Sequence, residues 1–244
     1  MKPEAKLSGK TAFITGAGRR IGKSIALGLA QAGANIIVHY GNSKNEAEQL
    51  ALEITKMGVS AWAFGQDLAE LGNVETAFSK AWKISPIDIL INNAAIFEDL
   101  DADHTDLSAW QRHIDINLTA PFLLSKSFSL HRAGNAGRII NILDWRALRP
   151  GNDHFAYTIS KAGLAAMTKS LAQAYAPHIT VNGIALGAIL PPSDGGNSAK
   201  VIEKVPLSRW ADIKEVVATV VFLASGNSYI TGEIIHLDGG RHLI

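Results

Sequence analysis

The stretch Thr11-Ala12-Phe13-Ile14-Thr15-Gly16-Ala17-Gly18-Arg19-Arg20-Ile21-Gly22 decides the fold of this 244-residue chain. Thr11 to Thr15 reads as a buried strand, glycines follow, and Ile21 to Gln31 then takes up a helical period. The alternation repeats outward from there. Apolar runs at Asn35–Tyr40, Val59–Phe64, Asp88–Ile91, Arg138–Ile142, Ile179–Leu186 and Glu233–Leu237 read as further strands. Between them, helical periods run over Lys44–Met57, Val74–Lys83, Ser108–His131, Tyr157–Tyr175 and Ile213–Leu223. Strands apolar on both faces, each followed by a helix, predict an α/β fold: one doubly wound sheet of seven parallel strands with helices on both faces. No Pro/Gly/Ser linker divides the chain, so 1–244 reads as a single domain. Proline and glycine cluster only after the sixth strand, and 186–206 reads as a substrate lid.

Composition excludes several classes. Apolar residues make up 47% and charged residues 18%, which rules out a disordered, collagen-like or coiled-coil chain. Absence of cysteine removes disulfides, thiolate metal sites and cysteine nucleophiles together. Net charge is +1 with both signs dispersed, which argues against nucleic-acid binding. Apolar runs such as Val220–Ala224 fall far short of the roughly 20 residues that span a bilayer, so no membrane association is expected. The polar start, Met1-Lys2-Pro3-Glu4-Ala5-Lys6, lacks an apolar signal core, and a cytoplasmic protein is the expectation. Eight histidines show no metal-ligand spacing, so no metal is expected.

In open α/β sheets ligands bind outside the carboxyl ends of the strands. The first such end carries Gly16 and Gly18, and glycines opening a helix suit a phosphate. The end of the second strand selects the nucleotide. No Asp or Glu occurs between Gly33 and Glu46 to hold a ribose 2′-hydroxyl, while Arg19, His39, Asn42 and Ser43 offer polar groups. That pattern favours a 2′-phosphate, hence NADPH/NADP+ over the unphosphorylated dinucleotide.

Tyr157 and Lys161, at i and i+4, share one helix face. A nearby ammonium favours phenolate, so Lys161 is expected to lower the Tyr157 pKa and make it a usable acid or base. Asp144 ends the fifth strand on the same rim. Asn117 precedes Pro121 by four residues; proline lacks an N–H, so the Asn117 carbonyl loses its helical partner and a kink is expected there.

Thr15-Gly16, Asp67-Leu68, Asn92-Asn93-Ala94-Ala95, Asn117, Tyr157-x-x-x-Lys161 and Asp238-Gly239-Gly240, in this order along nearly the whole chain, resemble the short-chain dehydrogenase/reductase family. The resemblance implies a Rossmann-type oxidoreductase, usually a homotetramer, that transfers hydride from a nicotinamide cofactor to a small-molecule carbonyl or imine. It implies cofactor contacts from Gly16, Arg19, Arg20, Ile21, His39, Tyr40, Asn42, Ser43, Asp67, Leu68, Asn93, Ala94, Ala95, Tyr157, Lys161, Gly187 and Ile189, and catalysis by Tyr157, Lys161 and Asn117. Two positions depart from the family pattern: Arg20 stands where the loop has glycine, and Asp144 where the catalytic serine lies. Both departures resemble the pteridine reductases and the related dihydromonapterin and dihydrofolate reductases. There the arginine helps bind pterin, the aspartate joins the catalytic set, and an aromatic matching Phe97 stacks on the pterin, so Arg20, Phe97, Asp144 and Tyr157 are the implied substrate contacts. The alternatives are a carbonyl reductase of the same family, acting on a 3-oxoacyl thioester or another ketone, and a cofactor-binding regulator without turnover.

Overall fold

The computed structural model describes residues 6–191, 198–226 and 229–244. Its strands are β1 (Thr11–Ile14), β2 (Asn35–Tyr40), β3 (Ala61–Gly65), β4 (Ile89–Asn92), β5 (Gly137–Asp144), β6 (Ile179–Leu186) and β7 (Ile234–Leu237). They form one sheet in the order β3-β2-β1-β4-β5-β6-β7, and every pairing is parallel. Alternate residues of each strand serve opposite cores, as the pleat dictates. Ile14, Ile36, Val38 and Ile91 meet Ile25 and Leu29 of α1 (Arg20–Gln31), Leu50 of α2 (Lys44–Thr55) and Val220 of α8 (Ile213–Ser225). On the other face Phe13, Ile37, Leu90 and Ile139 pack with Phe78 of α3 (Leu71–Ile84) and Phe128 of α5 (Ala120–Arg132). This is the doubly wound, single-domain fold expected, and it places the switch in strand order between β1 and β4.

The segment 108–131, one helix by its periodicity, is three pieces: α4 (Leu107–Ile114), a π-helical turn (Asp115–Thr119) and α5. Pro121 sits in the first turn of α5 and cannot donate to Asn117. The Ala120 N–H reaches five residues back, to the Asp115 carbonyl. The expected kink is therefore a π-turn, which brings the Asn117 side chain into the core at 0% exposure.

α6 (Phe155–Ala174) crosses the sheet beneath β5 and β6 and carries Tyr157 and Lys161. Of the expected lid 186–206, positions 192–197 lie outside the described residues; the rest contains the one-and-a-half-turn α7 (Ser198–Glu203). Among the described residues no helix is long and apolar enough to cross a membrane.

Candidate active site

The carboxyl ends of β1 and β4 are laced together. The Thr15 hydroxyl accepts the N–H groups of Asn93 and Ala94, both at 2.9 Å. Asn93 Nδ2 donates to the carbonyls of Thr15 and Gly16, at 2.8 and 3.2 Å. The Asn93 amide nitrogen is thus committed to holding the loop. Gly16 has φ +61°, and a Cβ on Gly22 would lie 2.3 Å from the Gly16 carbonyl oxygen, so both positions demand glycine.

Beyond that loop α1 begins with no side-chain cap and no acid in its first turn, which leaves its N–H groups and positive dipole end free for an anion. Arg19, which precedes α1, pairs with Glu46 of α2. Arg20 takes φ +49°, a left-handed conformation that costs a non-glycine residue about 1–2 kcal/mol. The glycine expected there by resemblance would carry no such cost. In return the Arg20 Nη2 reaches the Pro191 carbonyl at 3.2 Å.

His39 departs from the expected role. It is 2% exposed; its Nδ1 accepts the Gly16 N–H at 3.2 Å, so Nε2 carries the proton and donates to the Gln66 carbonyl at 3.0 Å. Both ring nitrogens are used by backbone, so His39 supports the loop and has none left for a ligand. Burial pushes its pKa down to about 4. Tyr40 lies against Gly65 of β3. Asn42 is exposed, and Ser43 precedes α2 without making a side-chain cap. Asp67 is exposed and accepts the Ala69 N–H at 2.9 Å, while Leu68 is buried. Ala95 is exposed; Ile21 packs on the core from the first turn of α1. Gly187 donates to the Leu237 carbonyl at 3.0 Å, and the side chain of Ile189 is part of the core.

The second half gathers around α6. Tyr157 Oη lies 3.4 Å from Asp144 Oδ2, so the strand-end aspartate and the helix tyrosine do meet. Phe97 stands edge-on to Tyr157, with ring centroids 4.7 Å apart at 85°, and is 54% exposed. His154 stacks on Phe97 at 3.9 Å. The Asn117 side chain is a latch: its Oδ1 accepts the Ile96 N–H at 2.9 Å, and its Nδ2 donates to the Ile96 carbonyl and to Ser160 Oγ, both at 3.0 Å. It thereby ties the Phe97 segment to α6.

Lys161 does not play the electrostatic part expected of it. Its ammonium donates to the Ile142 carbonyl at 2.7 Å and lies 5.7 Å from the centre of the Tyr157 ring. Burial lowers its own pKa to about 8. Burial first, and then the Asp144 carboxylate, hold the Tyr157 phenol well above its ordinary value; the cation that opposes them is Arg146. Burial likewise raises Asp144, against the pull of Arg146 and Lys161. The pair therefore retains a proton near neutrality and can act as an acid.

Arg146, Asp153 and Arg241 complete this corner. Arg146 donates to Asp153 at 2.6 Å, and Arg241 lies 4.3 Å from the centre of the Trp145 ring. Asp144 ends β5 and caps the 3-10 turn Trp145–Ala147 that follows, which turns Arg146 back onto it. A cavity of about 500 Å³ opens nearby between Ala188, Val205, Leu207, His236, Asp238 and His242. Asp144, Tyr157 and Lys161 are not among its lining residues.

Residues 16–242 match the family described as Enoyl-(Acyl carrier protein) reductase. The chain is 35% identical over 240 residues to the 3-oxoacyl-[acyl-carrier-protein] reductase of Synechocystis sp., covering 96% of this chain and 97% of that one. It is 37% identical to the 3-oxoacyl-[acyl-carrier-protein] reductase FabG of Aquifex aeolicus, covering 97% and 99%. The crystal structure of FolM Alternative dihydrofolate reductase 1 from Brucella canis, complexed with NADP, superposes with a TM-score of 0.90 at 35% identity over 98% of this chain and 96% of that one. The seven-stranded parallel sheet, the loop at its switch point, the Tyr157–Lys161 helix and these near full-length matches agree: the chain belongs to the short-chain dehydrogenase/reductase family of NAD(P)-dependent oxidoreductases.

Proposed function

We propose that the chain is an NADPH-dependent reductase of a pterin or dihydrofolate-type C=N bond. The observation that carries this reading is the carboxylate of Asp144, 3.4 Å from the Tyr157 hydroxyl, in the place where the family pattern has serine.

The residues present fit the cofactor. The uncapped start of α1 and the close Gly16–Gly22 approach suit a pyrophosphate, and a Cβ there would close the cradle. Arg19, Asn42 and the uncommitted cap residue Ser43 stand where a 2′-phosphate would be read. NADP in the Brucella canis relative supports the same choice.

When bound, the cofactor supplies hydride to the substrate carbon. Tyr157 gives its phenolic proton to the substrate nitrogen, and Asp144, hydrogen-bonded to that phenol, restores it. Lys161, fixed on the Ile142 carbonyl, keeps a positive charge beneath the tyrosine ring. Asn117 holds the Phe97 segment in register with Tyr157, and the exposed part of the Phe97 ring offers a stacking surface to a flat heteroaromatic substrate. Arg20, whose guanidinium donates to the Pro191 carbonyl, is the further substrate contact in this reading.

A second reading, reduction of a 3-oxoacyl thioester, is favoured by the activity of the two reductases at 35% and 37% identity. Oxidation of NADPH with dihydrobiopterin, dihydrofolate and acetoacetyl thioester, for wild type, Asp144→Ala and Asp144→Ser, separates the two. The proposal expects turnover of a pterin that collapses in Asp144→Ala. Turnover of the thioester alone, kept or raised in Asp144→Ser, would establish the second reading instead. NADPH binding without turnover of any of them, unchanged in Tyr157→Phe, would point to a regulator. The proposal includes a homotetramer, supported by apolar residues exposed on the outer helices, Phe122 and Leu130 on α5 and Phe222 on α8, and tested by sedimentation.

A further inference from the structure

A carboxylate at the end of a buried strand needs a counter-charge or it gives up its ionised form. In this chain the counter-charge lies two residues away. The Arg146 N–H donates to Asp144 Oδ1 at 2.9 Å, and its Nη1 is 3.5 Å from the same oxygen. The guanidinium is itself clamped: Nε lies 3.3 Å from both Asp153 oxygens and Nη2 2.6 Å from one of them. Its Cζ lies 4.9 Å from the Trp145 ring centre and 5.8 Å from that of Phe97, and its side chain is only 12% exposed. A flexible surface arginine makes neither the fork nor the stack.

We propose that Arg146 is the positioning residue of the Asp144–Tyr157 pair: clamped by Asp153, its guanidinium fixes the carboxylate and supplies the cation on which the ionisation of the pair depends. Geometry assigns this part to Arg146 rather than to Lys161, whose ammonium is turned to the Ile142 carbonyl. The charged and titratable groups facing the pair are Arg146, beyond β5; Asp153 and His154, before α6; Lys161, on α6; and Arg241, near the end of the chain. Removing Arg146 leaves Lys161, its ammonium already engaged by the Ile142 carbonyl, and Arg241 as the remaining cations, so Asp144 holds its proton to higher pH. The inference rests on Asp144 and Tyr157 being the proton-delivering pair, but its first test needs no substrate.

That test is a carboxyl NMR titration of the full chain with isotopically labelled aspartates, the Asp144 signal assigned by its loss in Asp144→Asn. In Arg146→Gln the Asp144 midpoint rises by about one pH unit or more, a tenfold gain in proton affinity. In Arg146→Lys, which keeps the charge without the fork, it returns most of the way. Should Arg146→Gln not fold, Arg146→Met removes the same charge with a similar stem. A midpoint unmoved in the neutral variants overturns the inference whatever the enzyme turns over. The second test is the basic limb of kcat/KM against pH, where activity is lost as Asp144 ionises; it shifts upward in Arg146→Gln by the same amount and does not move in the Asp144→Asn background. An NMR midpoint that moves while no pterin is reduced leaves the Arg146–Asp144 coupling standing and refutes the proposed substrate alone.

Discussion

Lowering the pH should destabilise this fold through one histidine. His39 is neutral because it is buried between Gly16 and Gln66, with Nδ1 accepting an N–H and no room for a second proton. Burial takes its pKa from 6.5 to about 4. The unfolded chain takes up the proton near the ordinary value and the folded chain resists it. The contribution is therefore fully present above the unfolded pKa of 6.5 and lost as pH falls toward the folded value of about 4. The whole interval corresponds to about 3.4 kcal/mol, of which about 2 kcal/mol has gone by pH 5. Carboxylates elsewhere also titrate, so the measurement is a difference of differences. Urea unfolding of wild type and His39→Asn at about pH 8 and about pH 5 gives four free energies. Asparagine keeps an acceptor for the Gly16 N–H and does not titrate. Wild type should lose about 2 kcal/mol more than the variant between the two conditions. Equal losses would refute the reasoning, because they would mean that His39 accepts a proton in the folded state and that the loop tolerates it.

Three further outcomes follow from neighbouring contacts. Glu46→Gln frees Arg19 from its ion pair, so the dissociation constant for NADPH should fall about two- to fivefold by calorimetry while that for NADH stays constant. Asn117→Ala removes the three hydrogen bonds of a fully buried side chain and orphans Ile96, and should cost about 3 kcal/mol in urea unfolding; a loss below about 1 kcal/mol contradicts the latch. Gly22→Ala places a Cβ 2.3 Å from the Gly16 oxygen and should weaken NADPH binding at least about tenfold, whereas Gly72→Ala, with open space around it, leaves binding unchanged.

Strands such as β1 and β4 were legible because a parallel sheet buried on both faces writes near-continuous apolar runs, whereas the edge strands β3 and β7 are only partly buried and were read from their place in the strand–helix alternation. The π-turn was half legible. Pro121 announces a missing hydrogen bond, but whether the helix bends, breaks or widens depends on what the freed side chain reaches, here Ile96 and Ser160. His39 was misread as ligand surface, although the pleat contained the correction: it shares a strand face with Ile37, whose side chain is in the core, and its ring lies 5.6 Å from that of Phe13. Lys161 marks the limit of spacing arguments. An i, i+4 pair puts two side chains on one face, but a buried ammonium turns to the best acceptor within reach, and that acceptor is a carbonyl of β5.

Overall similarity does not choose the substrate. A 3-oxoacyl reductase at 35% and an alternative dihydrofolate reductase at 35% lie equally far from this chain, because most of what they share is the sheet and its packing. The choice falls to the few side chains at the crevice, and there the energetics are asymmetric. A serine at 144 would need no counter-charge. An aspartate, raised by burial, is destabilising unless something compensates it, and the chain devotes Arg146 to it and Asp153 to Arg146, holding both beneath an exposed aromatic ring. A carboxyl with no work to do is better replaced than compensated. An acid able to donate a proton or accept an amino-pyrimidine edge, beside a stacking ring, is what a pterin requires and a simple ketone does not.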